Sequence, residues 1–274
     1  MFNGEKRSYG RMAPLLRRVL IADPQPASAR LLSDLLRDIA RSHCWVATDM
    51  DRALKIAETC DPQLIVVEVG DGRSEGRIDG LAFTRALRRS KWHSRKAPVI
   101  TITGAATEAS ILAARDAGVH EFLRKPYSMK DLVRRLEAVT LRDRDWVEGI
   151  AYIGPDRRRF NSGEYSGSLR RRDDGTETPY QQKINQAIRI IRAAVAACET
   201  DPEQAMRAMI TQATTLQEIA IDLKLTLAAS ELFRRLNQAA QTGGKFAKSD
   251  VETWTAPMFK FLTEDDSRRQ AEAA

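Results

Sequence analysis

Leu64-Ile65-Val66-Val67-Glu68 decides the fold: four apolar residues, three of them β-branched, run without interruption and stop on a carboxylate. A strand with one wet face alternates apolar and polar residues, whereas a continuous run belongs to a strand covered on both faces. Similar runs recur upstream at Val19-Leu20-Ile21-Ala22 and, more weakly, at Cys44-Trp45-Val46-Ala47. Downstream they recur at Val99-Ile100-Thr101-Ile102 and Glu121-Phe122-Leu123. Between them lie helical stretches: Pro26 to Ile39, with Leu31, Leu32, Leu35 and Leu36 on one stripe, then Asp51 to Cys60, Leu81 to Arg88, Glu108 to Ala117 and Met129 to Val139. Strands alternating with helices require parallel pairing through right-handed crossovers. Residues 17–141 are therefore read as an α/β domain with a doubly wound, five-stranded parallel sheet.

The rest of the 274 residues sets the bounds. Hydrophobic residues at 43% and charged residues at 30% supply a core and a soluble surface, which excludes a collagen-like or wholly disordered chain. The most apolar tract, Ile188 to Cys198, is broken by Arg189 and Arg192, so no membrane span is expected. The first seven residues lack the apolar centre of a signal peptide. Cys44, Cys60 and Cys198 are widely spaced and follow no metal-ligand pattern, which fits a reduced, cytoplasmic setting. The net charge of +7 lies wholly in residues 1–141, and the remainder is neutral.

Residues 1–16 are read as an N-terminal tail and residues 142–179 as an Arg/Gly-rich linker whose start Trp146, Ile150, Tyr152 and Ile153 could pin. Residues 180–264 are read as a small all-α interaction region and 265–274 as a disordered tail. In the helical region Ile184, Ile188, Ile191, Val195 and Cys198 make one apolar seam. Asp201-Pro202 opens a second helix, along which Met206, Met209, Ala213, Leu216, Ala220, Leu223 and Leu227 keep the same spacing, with Leu232 and Leu236 beyond. Ser249 with Glu252 reads as a capping box for a short last helix. No histidine follows His120, so the helices are not a histidine phosphotransfer module, and no nucleotide-binding or hydrolase motif is present. No enzymatic activity is expected.

In open parallel sheets, ligands bind at the carboxyl ends of the strands. Asp23, Glu68, Thr103 and Lys125-Pro126 fall at those ends, and Asp79-Gly80 opens the third helix. This ordered series resembles the receiver domain of two-component response regulators across residues 17–141. The resemblance implies an aspartate ending strand three that takes phosphate from a histidine kinase, and two acids after strand one that hold Mg²⁺. It also implies a hydroxyl and a lysine touching the phosphoryl oxygens, and an aromatic residue on strand five that swings with the hydroxyl. Thr103, Lys125 and Phe122 match. Asp23 matches the first acid, but its neighbour is Pro24, and the phosphoacceptor position carries Glu68.

Both departures weaken the same chemistry. Only Asp23 and Glu68 remain to hold Mg²⁺, so no cofactor is expected beyond that ion weakly held. In-line phosphoryl transfer depends on placement, and glutamate sets its carboxylate one methylene further out. There it could pair with Lys125 and accept a hydrogen bond from Thr103. The chain is thus read as an atypical regulator, a pseudo-receiver with a helical extension, its Glu68 either imitating the phosphorylated state or sitting in a silent site. A purely structural Glu68–Lys125 pair stays open, as does a conventional regulator phosphorylated on Glu68 or on Asp71, although Asp71 between glycines reads as a turn residue. Ile111, Arg115, His120, Glu121, Lys130 and Arg134 would line the output face, and Arg85, Arg88, Arg89, Lys91, Arg95 and Lys96 read as a solvated basic patch.

Expected partners are proteins: a histidine kinase, a phosphotransferase or a downstream effector, with self-association through the 180–264 helices also open. Arg157, Arg158, Arg159, Arg170, Arg171 and Arg172 form an alternative anion-binding group, for a cyclic dinucleotide or nucleic acid, but Asp173-Asp174 follow directly.

Overall fold

The computed structural model describes residues 8–69, 78–157, 178–242 and 247–262. Five parallel strands, β1 (Arg18–Ala22), β2 (His43–Ala47), β3 (Leu64–Glu68), β4 (Val99–Thr103) and β5 (Glu121–Arg124), form one sheet in the order β2-β1-β3-β4-β5. The connecting helices are α1 (Pro26–Ala40), α2 (Met50–Thr59), α3 (Gly80–Arg89), α4 (Glu108–Asp116) and α5 (Met129–Thr140). Successive side chains of a strand point to opposite faces, so each apolar run feeds two cores. Val19, Ile21, Leu64, Val66, Ile100 and Ile102 pack under α1 and α5 against Leu32, Leu36, Leu132 and Leu136. Leu20, Ala22, Ile65, Val67 and Val99 face α2, α3 and α4 through Ala53, Ala57, Phe83, Leu87 and Ala114.

Residues 8–16 are more than a tail. They carry a helical turn and a 3₁₀ turn (Ala13–Leu15), and Met12 and Leu16, one helical turn apart, are fully buried in the core under α1. Past α5, β6 (Trp146–Glu148) pairs with β7 (Ile153–Pro155) in a two-stranded ribbon within the stretch read as linker. Trp146 lies beneath three cations, with Arg88 at 5.2 Å, Lys96 at 5.8 Å and Arg95 at 6.0 Å from its ring centre. Arg88 does not belong to a solvated patch: its guanidinium is buried and donates to the carbonyls of Gly118 (2.9 and 3.1 Å), Arg95 (2.6 Å) and Ala97 (2.9 Å). Burial pulls its pKa down to about 9, which leaves it charged at neutral pH.

The chain divides into two units, residues 1–147 with 152–168, and residues 148–151 with 169–274. The second unit contains α6 (Pro179–Ala196), α7 (Pro202–Ile219), α8 (Leu223–Thr242) and α9 (Lys248–Phe259), whose core joins Ile184, Ile188, Ile191, Met209, Leu216, Leu232 and Leu236. Buried Gln204 and Gln212 bind residues 148–149: Gln204 Nε2 donates to Glu148 Oε1 at 2.9 Å and to the Gly149 carbonyl at 3.0 Å, and Gln212 Nε2 to the Glu148 carbonyl at 3.2 Å.

Two sequence expectations change here. The spacing from Met206 to Leu227 runs through a break: the backbone leaves the helix at Ala220, and the Asp222 carboxylate caps α8 by accepting from Lys224 N and Leu225 N. Leu223 and Leu227 consequently face outward instead of continuing the seam. The last helix starts one residue before Ser249, with Asp250 reaching back to Ala247 N at 3.2 Å, because the acid three residues after the N-cap is Asp250 and not Glu252. Among the described residues no helix is long and apolar enough to cross a membrane.

Candidate functional site

Asp23 follows β1 directly, its N–H bonding to Ala47 O at 3.0 Å, and its Oδ1 accepts from Gln25 N at 2.7 Å, which turns the chain into α1. Glu68 is the last residue of β3, and Val69 N continues the ladder to Ile102 O at 2.9 Å. Lys125 N donates to Thr103 O at 2.8 Å, and the Lys125–Pro126 peptide is cis. The ends of β1, β3 and β5 thus bring Asp23, Glu68 and Lys125 to one rim. Lys125 Nζ stands 2.6 Å from Glu68 Oε1 and 3.4 Å from Ser28 Oγ, with the two ion-paired side chains 28% and 12% exposed.

Asp79-Gly80 has a structural reason. The Asp79 carboxylate caps α3 by accepting from Leu81 N (3.0 Å) and Ala82 N (2.9 Å). A Cβ on Gly80 would stand 2.7 Å from Glu68 O and 2.8 Å from Val67 Cγ2, so the helix start meets the end of β3 only through glycine.

Among the described residues, Glu68 Oε2 is buried without a hydrogen-bond partner. Burial, and then the neighbouring Asp23, push the Glu68 carboxyl above its ordinary range, while Lys125 pulls the other way. Tyr127 is also raised, by burial and then by Asp23 and Glu68. The expected bond from Thr103 to Glu68 is not formed. Glu68 is paired with Ile102 in the sheet register, so the next residue, Thr103, lies on the opposite face, and its buried hydroxyl accepts from Ala105 N at 3.2 Å. Phe122, paired with Thr101, is buried in the core under α2, α3 and α4.

Magnesium fits this donor set poorly. The second acid position is Pro24, one Glu68 oxygen already holds an ammonium group, and no cluster of three metal-ligating side chains occurs among the described residues. Arg157 is also engaged, 2.8 Å from Asp116 Oδ1 and stacked 4.3 Å from the Tyr152 ring centre. Arg158, Arg159, Arg170, Arg171, Arg172, Asp71 and the 265–274 tail lie outside the described residues.

Sequence reasoning missed the neighbours of the ion pair and the burial of two charged residues. Ser28 and Tyr127 border the Lys125–Glu68 pair, and Ser28, one helical turn before Leu32, carried no motif. His120 and Glu121, expected on the output face, are buried. His120 Nδ1 lies 3.2 Å from Val99 N and 3.3 Å from Arg88 Nη2, and burial, then Arg88 and Arg144, hold its pKa well below the ordinary value. Glu121 binds Arg135 at 3.0 Å and also Arg144, so that two arginines offset one buried carboxylate.

Residues 19–137 match the family model of the response regulator receiver domain. The chain is 30% identical over 133 residues to the transcriptional regulatory protein PdtaR of Mycobacterium tuberculosis, covering 48% of this chain and 61% of PdtaR. It is 32% identical over 126 residues to the KDP operon transcriptional regulatory protein KdpE of Escherichia coli, covering 45% and 51%. The chain therefore spans between half and two thirds of the length of these relatives. The crystallised chemotaxis protein CheY4 of Vibrio cholerae overlays with a TM-score of 0.41 at 22% identity, covering 45% of this chain and 98% of CheY4.

Proposed function

From the premise that residues 19–137 are a response regulator receiver domain, we propose that the chain is an atypical regulator that signals through protein contacts, without phosphorylation and without catalysis. One observation carries this reading: the 2.6 Å Glu68–Lys125 pair at the strand ends. The glutamate carboxylate takes up the ammonium group that a phosphoryl oxygen would otherwise engage, and Asp23 stands without a second acid beside it. Transfer to Glu68 would have to break that pair, recruit a divalent cation to a poor donor set, and use an acceptor oxygen displaced by a methylene. Misplacement of about 1 Å costs such a reaction on the order of a hundredfold. The partners proposed are a kinase, phosphotransferase or effector that recognises the receiver surface, with the helical unit supplying further protein contacts.

Incubating the full chain with a small-molecule phosphodonor and Mg²⁺, followed by intact mass measurement, tests this. The expected result is no phosphoryl adduct. A hydroxylamine-sensitive adduct mapped to Glu68 or Asp71 would replace this reading with that of a conventional regulator.

A further inference from the structure

The turn between α7 and α8, with the start of α8, displays large aliphatic side chains on a backbone that is held in place. Ile221 is 86% exposed, Leu223 70% and Leu227 60%, the two leucines lying one helical turn apart. Tyr180 hydroxyl accepts from Ile221 N at 2.7 Å and donates to Ile219 O. Thr226 Oγ1 donates to Ala220 O at 3.1 Å, and Asp222 Oδ1 accepts from Lys224 N at 2.8 Å. A contact group fixed in this way loses little further freedom on association. Clustered exposed aliphatics mark contact surfaces, whereas scattered ones do not.

At the turn is a hollow of about 490 Å³ lined by Tyr180, Gln181, Ile184, Leu225 and Phe261 together with Ile221 and Asp222 of the turn itself. Projection and hollow therefore share one patch, which is what a two-fold contact between identical surfaces requires. The charges agree. Asp222 and Lys224 flank Leu223 with opposite signs, so a two-fold copy can set each acid against the other copy's base, whereas a partner of one charge sign would satisfy only half of the patch.

We propose that this patch binds a second copy of the chain, each Ile221 entering the other's hollow while Leu223 and Leu227 close the seam. The inference is independent of the state of the receiver site. Sedimentation equilibrium on the full chain, with amide hydrogen exchange at low and high protein concentration, tests it. The expected result is a dimer whose formation protects residues 219–227. Ile221→Asp and Leu227→Asp should each raise the dissociation constant by at least about tenfold, and Lys224→Glu should weaken the dimer by setting acid against acid. These side chains are exposed, so unchanged helicity by circular dichroism separates lost contact from lost fold. A chain that stays monomeric, a dimer indifferent to all three substitutions, or growth beyond the dimer that Ile221→Asp abolishes would each overturn the two-fold contact.

Discussion

Glu68 differs from an aspartate by one methylene, and that methylene brings its carboxylate to Lys125 Nζ at 2.6 Å. The pair is only partly exposed, so removing the cation strands a charge that burial and Asp23 already disfavour. Lys125→Met is expected to destabilise the receiver domain by about 1–3 kcal/mol at neutral pH. The sign of its pH dependence follows from the raised Glu68 carboxyl. The folded state holds that proton more tightly than the unfolded chain, so this group's favourable contribution is full below the unfolded value and is lost as pH rises through the folded value. Acidification from neutral pH should therefore recover part of the loss in Lys125→Met, as Glu68 takes up a proton, and urea unfolding at the two pH values measures it. Arg88 makes a second residue-level case. Its fork reaches three separate carbonyls, which an ammonium group cannot span together, so Arg88→Lys should cost about 2–4 kcal/mol in thermal or urea unfolding.

Elements show where sequence reading works and where it stops. The five strands were legible because each apolar run serves two cores at once, and α3 was legible from Asp79-Gly80. Gly80→Ala should lower stability by about 1–3 kcal/mol, because its Cβ would meet the backbone of Glu68 at 2.7 Å and no flexible side chain can yield. The α7–α8 junction was not legible: the apolar spacing passes unbroken through Ala220 to Leu227, and only the Asp222 cap shows that a new helix begins. Asp222→Ala should cost the helical unit about 1 kcal/mol, read as a lower unfolding midpoint. The ribbon of β6 and β7 escaped notice because strands of three residues leave little periodicity, and the signal that existed lay in Trp146, Tyr152 and Ile153.

At the scale of the molecule, the candidate site was readable as residue identities in order along the chain, but not as contacts. Asp23, Glu68 and Lys125 converge because they stand at the carboxyl ends of β1, β3 and β5 on the same side of the sheet. Thr103 does not join them because one step of the pleat puts it on the other side. The buried Arg88, His120 and Glu121 were read as surface because charged residue types carry no sign of their own burial. If the site is already filled by the chain's own carboxylate, a supply of phosphate should leave the entire molecule unchanged. Amide hydrogen exchange on the full chain, with and without phosphodonor and Mg²⁺, is the most direct measure. Superimposable uptake is expected throughout the described residues, including 103–107 and 121–129. Altered protection in those segments that depends on the phosphodonor and is lost in Glu68→Ala would contradict it.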